Sequence, residues 1–229
     1  MKTKVIRFSL GVLVLTALAG TAFAQGGGAN MANVEIKPTK ITDSFYTLEG
    51  NGGMIGILVG PDGVLMVDSQ YAALTEKIAA AIKKINPGPI RYMINTHVHP
   101  DHTGGNENLG KMGVTIFSRD QLRHRLANPN PGANGAPGTP APAAALPIVT
   151  YDQKITFHMN GEDVEAIPIR SAHTDGDTLV RFVKTDVLMT GDYFRSLGYP
   201  NIDRANGGTL QGMLDGLHKR SRCAARTPR

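Results

Sequence analysis

The sequence predicts a layered α/β domain. Three features carry that reading. Short apolar strand-like runs alternate with segments of helical period, a Pro61-Asp62-Gly63 turn joins two of the runs as a hairpin, and another run ends directly in a cluster of histidines. In layered α/β folds the ligand-binding edge lies at the C-terminal ends of such strands.

Taken in order, residues 25–32 are Gly-rich and expected to be mobile. Ser44 to Glu49, Met54 to Val59 and Val64 to Val67 read as strands, the last two forming the hairpin. Leu74, Ile78, Ala81, Ile82 and Ile85 share one face of a helix that Asn86-Pro87-Gly88 stops, so this helix is expected to cover a sheet. Ile90 to Asn95 reads as a buried strand leading into the histidine-rich turn, Gly104-Gly105 and a short helix through Leu109. Val114 to Phe117 follows as a strand and 121–127 as a helix. Six prolines among Ala, Gly and Asn at 128–147 argue against packed structure there. That leaves an exposed loop, either an inert insertion or a flap near the site. Strands resume at Lys154 to His158, Val164 to Ile169, Leu179 to Val183 and Val187 to Met189, and a helix covers Thr209 to Leu217.

A chain of 229 residues with 41% hydrophobic content suits one domain with a core. Its single Cys excludes a disulfide framework and a Cys-rich zinc site. Lys2, Lys4 and Arg7 precede the apolar run Phe8 to Ala19 and the small-residue site Ala22-Phe23-Ala24, so residues 1–24 are expected to be a signal peptide. The mature protein would then be periplasmic or secreted. The apolar run is too short to span a bilayer, and no membrane partner is expected after cleavage. The net charge of +5 sits at the chain ends. Without Lys2, Lys4, Arg7, Lys219, Arg220, Arg222, Arg226 and Arg229, the body holds 16 basic and 19 acidic residues, which supports no nucleic-acid groove.

The chemistry concentrates in His97-Val98-His99-Pro100-Asp101-His102, four metal-ligand side chains in six residues directly after a strand. On an extended turn His97 and His99 point the same way, while Asp101 and His102 reach a second position, which suits two adjacent cations. Neutral imidazoles with a carboxylate suit zinc. His173, in the turn Ser171 to Asp177, and Asp192, in Thr190-Gly191-Asp192, each offer a further ligand from a strand end. A plain turn role is the alternative for both; Asp175 and Asp177 read as turn formers. His124, His158 and His218 have no matching context.

These residues resemble the metallo-β-lactamase superfamily of binuclear metallohydrolases, from about Val34 to Leu217. The resemblance implies a four-layered αββα sandwich. It also implies a first zinc on His97, His99 and His173, and a second on Asp101 and His102, with Asp192 bridging as in glyoxalase-type members. Asp68 would orient the ligands through hydrogen bonds. Water between the cations would lose a proton near neutral pH, and the hydroxide would open the carbonyl of a small-molecule β-lactam, lactone or (thio)ester, with Asp101 as the catalytic proton carrier. Bridging by Asp192 looks more like lactonase-type members than true β-lactamases. The alternatives are a sulfur dioxygenase with one iron on His97, His173 and Asp192, and an inactive product that only binds metal.

A complete member would continue past Leu217 with a strand and a Pro-Gly-His-Gly-like loop completing the second zinc site. Here residues 218–229 form a basic tail without periodicity, containing the lone Cys223. The expectation is a C-terminal truncation, by frameshift or premature stop, with the second half of the sandwich and the second metal site incomplete.

Overall fold

The computed structural model describes residues 30–132, 134–196 and 198–224. The expected signal peptide, residues 1–24, lies outside the described residues. Among the described residues eleven strands form two sheets. The first takes seven strands in chain order: β1 (Lys37–Lys40), β2 (Phe45–Glu49), β3 (Ile55–Gly60), β4 (Gly63–Val67), β5 (Ile90–Ile94), β6 (Thr115–Arg119) and β7 (Val149–Tyr151). β1 to β4 pair antiparallel, and β4 to β7 pair parallel. The second sheet is an antiparallel set of β8 (Ile155–Met159), β9 (Glu162–Pro168), β10 (Thr178–Phe182) and β11 (Val187–Met189).

Strand alternation sorts the side chains into three cores. From β3 and β4, Ile55, Ile57, Val59, Val64 and Met66 face one way and pack with Ile78 and Ile82 of helix α1 (Thr75–Ile85) and Leu109 of α3 (Asn106–Lys111). Leu58, Leu65 and Val67 face the other way and meet Val164, Ala166, Val180 and Phe182 of the second sheet. The outer face of that sheet, with Ile167 and Leu179, packs against Met213, Leu217 and Cys223 of helix α5 (Leu210–Ala224). Helices, sheet, sheet and helix thus stack as the expected αββα sandwich. The fully apolar runs of β3 and β4 follow from this, because both faces of those strands are covered. Among the described residues no helix is long and apolar enough to cross a membrane.

Most expected elements stand within a residue or two, and four differ. β1, Lys-Pro-Thr-Lys, is an exposed polar edge strand without the alternation that marks a strand. β7 is three residues directly behind the Pro-rich segment, too short to show a period. That segment itself is packed at its C-terminal end. Ala145 is buried, Asn106 Nδ2 donates to its carbonyl at 3.1 Å, and Arg123 donates to the carbonyl of Pro147 at 2.5 Å. Side chains from α3 and from α4 (Asp120–Ala127) therefore supply the order that its own composition lacks.

The tail is the fourth difference. Residues 218–224 continue α5 rather than forming an aperiodic extension. No Gly or Pro interrupts residues 217–224, Lys, Arg and Ala favour helix, and Met213, Leu217, Arg220 and Cys223 recur at spacings of three and four. Lys219 Nζ donates to the Pro168 carbonyl at 2.9 Å, and the Arg220 guanidinium lies 3.7 Å from the ring centroid of Phe194. The seating of α5 depends on small residues, since a Cβ at Gly212 would lie 2.1 Å from the backbone oxygen of Ser171. Gly212→Ala is therefore expected to destabilise the fold by about 1–3 kcal/mol through overpacking, outweighing the roughly 1 kcal/mol that alanine gains in helix propensity. Urea unfolding checks this; an unchanged or raised midpoint contradicts it.

Candidate metal centre

Every candidate ligand leaves the sandwich at one edge. Asp68 follows β4, the His97 to His102 segment follows β5, His173 lies between β9 and β10, and Asp192 follows β11. His97 lies in a bend and His99 is extended, whereas Asp101 and His102 lie on the single-turn helix α2 (Pro100–Thr103). Two groups of ligand atoms result, His97 with His99 and His173, and His97 with His102 and Asp192, the atoms of each within 4.8 Å of one another. His97 is common to both. Asp101 reaches the second group, its Oδ2 3.5 Å from His102 Nε2, where Asp192 Oδ1 is at 3.4 Å.

Hydrogen bonds decide which ring nitrogen faces inward. Asp68 sits in the left-handed region at φ 64° and is buried. One oxygen accepts from Thr96 N–H at 2.7 Å, and the other from the Thr96 hydroxyl and from His102 Nδ1, both at 2.7 Å. A carboxylate accepts only, so His102 Nδ1 donates to it and Nε2 is the nitrogen that faces the site. The Thr96 hydroxyl, already donating to Asp68, accepts from His97 Nδ1 at 3.1 Å. This leaves His97 Nε2 facing inward. His97 Nε2 and His102 Nε2 are buried and have no hydrogen-bond partner. The strained Asp68 thus ties Thr96 and His102, the two ends of the histidine-rich segment, together through hydrogen bonds of the kind the resemblance implies.

His99 and His173 are oriented from the other side. His99 Nε2 lies 2.7 Å from Asp203 Oδ2, and His173 Nδ1 lies 2.7 Å from the carbonyl oxygen of Asn201. Both acceptors require the ring to donate, so His99 Nδ1 and His173 Nε2 are the bare nitrogens, and they face each other at 2.9 Å. Asn201 and Asp203 escaped the sequence reading, because nothing in a stretch without period or motif points at a distant histidine. Asp177 caps the turn below, accepting from Thr174 N–H and its hydroxyl, and Asp175 pairs with Arg125. Asp177 is the turn former expected, whereas the Asp175 carboxylate is engaged by Arg125 of α4 rather than by its own turn.

Electrostatics follow the same geometry. Burial, then the neighbouring rings of His102, His173 and His99, hold His97 well below the ordinary histidine range, which keeps it neutral. For His102 burial opposes charge, but Asp68, Asp192 and Asp101 outweigh it and push the ring up to about 10. Asp192 is held below the usual carboxylate range by the adjacent His102 ring, whose Nε2 lies 3.4 Å away, against the effect of burial. A cation must displace the His102 proton, so metal uptake at pH 7 is expected to release about one proton per second-site ion. Affinity there should rise with pH, by roughly tenfold per unit, until about 10. Calorimetry in buffers of different ionisation enthalpy measures that proton; uptake without release contradicts the assignment.

Bare nitrogens and carboxylates converging at the edge of an αββα sandwich define a metal-dependent hydrolase. The model of the metallo-beta-lactamase superfamily matches residues 48–227, and the chain belongs to that superfamily. Among solved structures it is similar to a metallo-beta-lactamase from Pontibacter korlensis, with a TM-score of 0.65 at 19% identity over 84% of this chain and 88% of that one. DIM-1 metallo-beta-lactamase gives 0.65 at 18% over 83% and 87%. BJP-1, a subclass B3 metallo-beta-lactamase of Bradyrhizobium japonicum, gives 0.63 at 18% over 81% and 73%. At such identities the likeness is one of fold.

Proposed function

We propose that the chain is a zinc hydrolase acting on a carbonyl of a small molecule outside the cytoplasm. The observation that carries this is the 2.9 Å approach of His99 Nδ1 and His173 Nε2, two nitrogens whose protons lie on the far side of each ring. Two unprotonated nitrogens at that distance repel unless a proton or a metal ion lies between them, and the surrounding donors suit a metal ion. A donor set of imidazoles and carboxylates without thiolate suits zinc. Cations in the two clusters would supply Lewis acidity, making water a stronger acid and polarising the carbonyl.

The chain's own groups do the rest. His97, His99 and His173 would hold the first ion; Asp101, His102 and Asp192 the second. The Asp101 side chain is 29% exposed beside His102, a position from which it reaches both site and solvent and can carry a proton to the leaving atom. A bridging Asp192, implied by the resemblance to lactonase-type and glyoxalase-type members, would favour a lactone or (thio)ester over a β-lactam. The three residues of the single-iron alternative are divided, because His173 and Asp192 fall in different clusters. Export is supported by the charged and apolar character of residues 1–24.

The test is turnover of nitrocefin, a homoserine lactone and a thioester by zinc-loaded protein. Hydrolysis of at least one, lost in His99→Ala, is expected. A chain that holds two zinc ions yet turns over none contradicts the proposal.

A further inference from the structure

We propose that the loop from Asn201 to Gly208 selects which ring nitrogen of His99 and of His173 faces the first cation, with Asp203 as the positioning residue. This rests on the metal-centre reading above. The loop chooses opposite nitrogens on the two rings. Asp203 Oδ2 accepts from His99 Nε2 and turns Nδ1 inward, while the Asn201 carbonyl accepts from His173 Nδ1 and turns Nε2 inward, both at 2.7 Å. With its side chain 25% exposed, His99 has among the described residues no other hydrogen bond that would fix its ring, since its second contact is to His173 itself.

A selector must be stiffer than the ring it selects, and this loop is held on several sides. Asp203 N–H donates to the His173 carbonyl at 2.9 Å, so the loop is tied to the backbone of the second histidine it orients. Asp175 N–H donates to the Asn206 carbonyl at 2.9 Å. From α4 and the residues after it, Arg125 and Asn130 donate to the Ala205 carbonyl at 3.3 and 2.7 Å. Within the loop the Asn206 backbone N–H and side-chain amide donate to the two Asp203 oxygens at 3.1 and 2.6 Å, aiming the carboxylate. Close approach requires glycine at 208, where a Cβ would lie 2.2 Å from the His173 carbonyl oxygen. Asp203 therefore acts through His99, not on a reacting atom, as an outer carboxylate does for a metal-ligating imidazole.

Zinc affinity at each site, measured by competition with a chelator in wild type, Asp203→Ala and Asp203→Asn, tests this together with the visible spectrum of the cobalt-loaded forms. Asp203→Ala is expected to weaken the first site by about 10–100-fold and to alter its cobalt bands, leaving the second site within about threefold. Asp203→Asn keeps an acceptor oxygen without the charge and should lie between, weakened by roughly tenfold. If the alanine variant fails to fold by circular dichroism, the asparagine variant carries the test by the same two readouts. First-site affinity and cobalt bands equal to wild type in a folded variant overturn the loop's role and leave the metal centre standing. A wild-type chain that binds no zinc overturns both.

Discussion

Asp68→Ala is expected to cost the metal-free fold about 3–5 kcal/mol, the scale for removing one member of a buried charged network. Three donors depend on this one carboxylate: the Thr96 N–H, the Thr96 hydroxyl and His102 Nδ1. Its loss leaves them unpaired inside the protein, while alanine inherits the strained φ of 64°. It also frees His102 and, through Thr96, His97, so both cation sites loosen together. Asp68→Asn separates structure from chemistry. The amide oxygen can keep the Thr96 N–H, but the amide nitrogen meets the hydroxyl and the ring as a donor, which favours the wrong His102 tautomer. The folded asparagine variant should lose about 10–100-fold in second-site affinity. Chemical denaturation and zinc stoichiometry check both variants; Asp68→Ala with wild-type stability and two tightly held ions contradicts the role given to Asp68.

His97→Ala should produce a larger functional loss with a smaller structural one. His97 belongs to both ligand groups, so its removal takes a donor from each. Turnover should fall by at least about a thousandfold, comparable to losing an essential electrostatic group in other active sites. Its inward Nε2 is buried without a partner, so the metal-free fold gains little from it. The diagnostic is metal-dependent stabilisation. Wild-type protein in zinc at 100 times its dissociation constant should gain about 2.7 kcal/mol, and His97→Ala at the same zinc concentration under about 1 kcal/mol. Equal gains in the two proteins would show that His97 is not a ligand.

Much of the site was legible because its chemistry is local. His97, His99, Asp101 and His102 occupy six consecutive positions, and one strand end delivers them all. His173 and Asp192 were readable as ligands offered from loops at strand ends, and Asp68 only through the resemblance to the superfamily. Illegible were the partners whose role exists only across the fold. Asp203 lies 104 residues from His99, in a loop whose residues favour turns whatever they touch. The same holds for the 128–147 segment, ordered by Asn106 and Arg123 rather than by its own composition. The tail misled for a different reason. Its basic residues look like a solvated end, but the charged heads of Lys219 and Arg220 reach a carbonyl and an aromatic face.

A crystal structure of the zinc-soaked protein, with anomalous scattering recorded at the zinc edge, tests the convergence of these side chains most directly. The expected map has one peak bonded to His97 Nε2, His99 Nδ1 and His173 Nε2, and a second beside His102 Nε2 and Asp192. Zinc absent from that edge of the sandwich, or bound through His99 Nε2 with Asp203 displaced, would contradict the reading of the site.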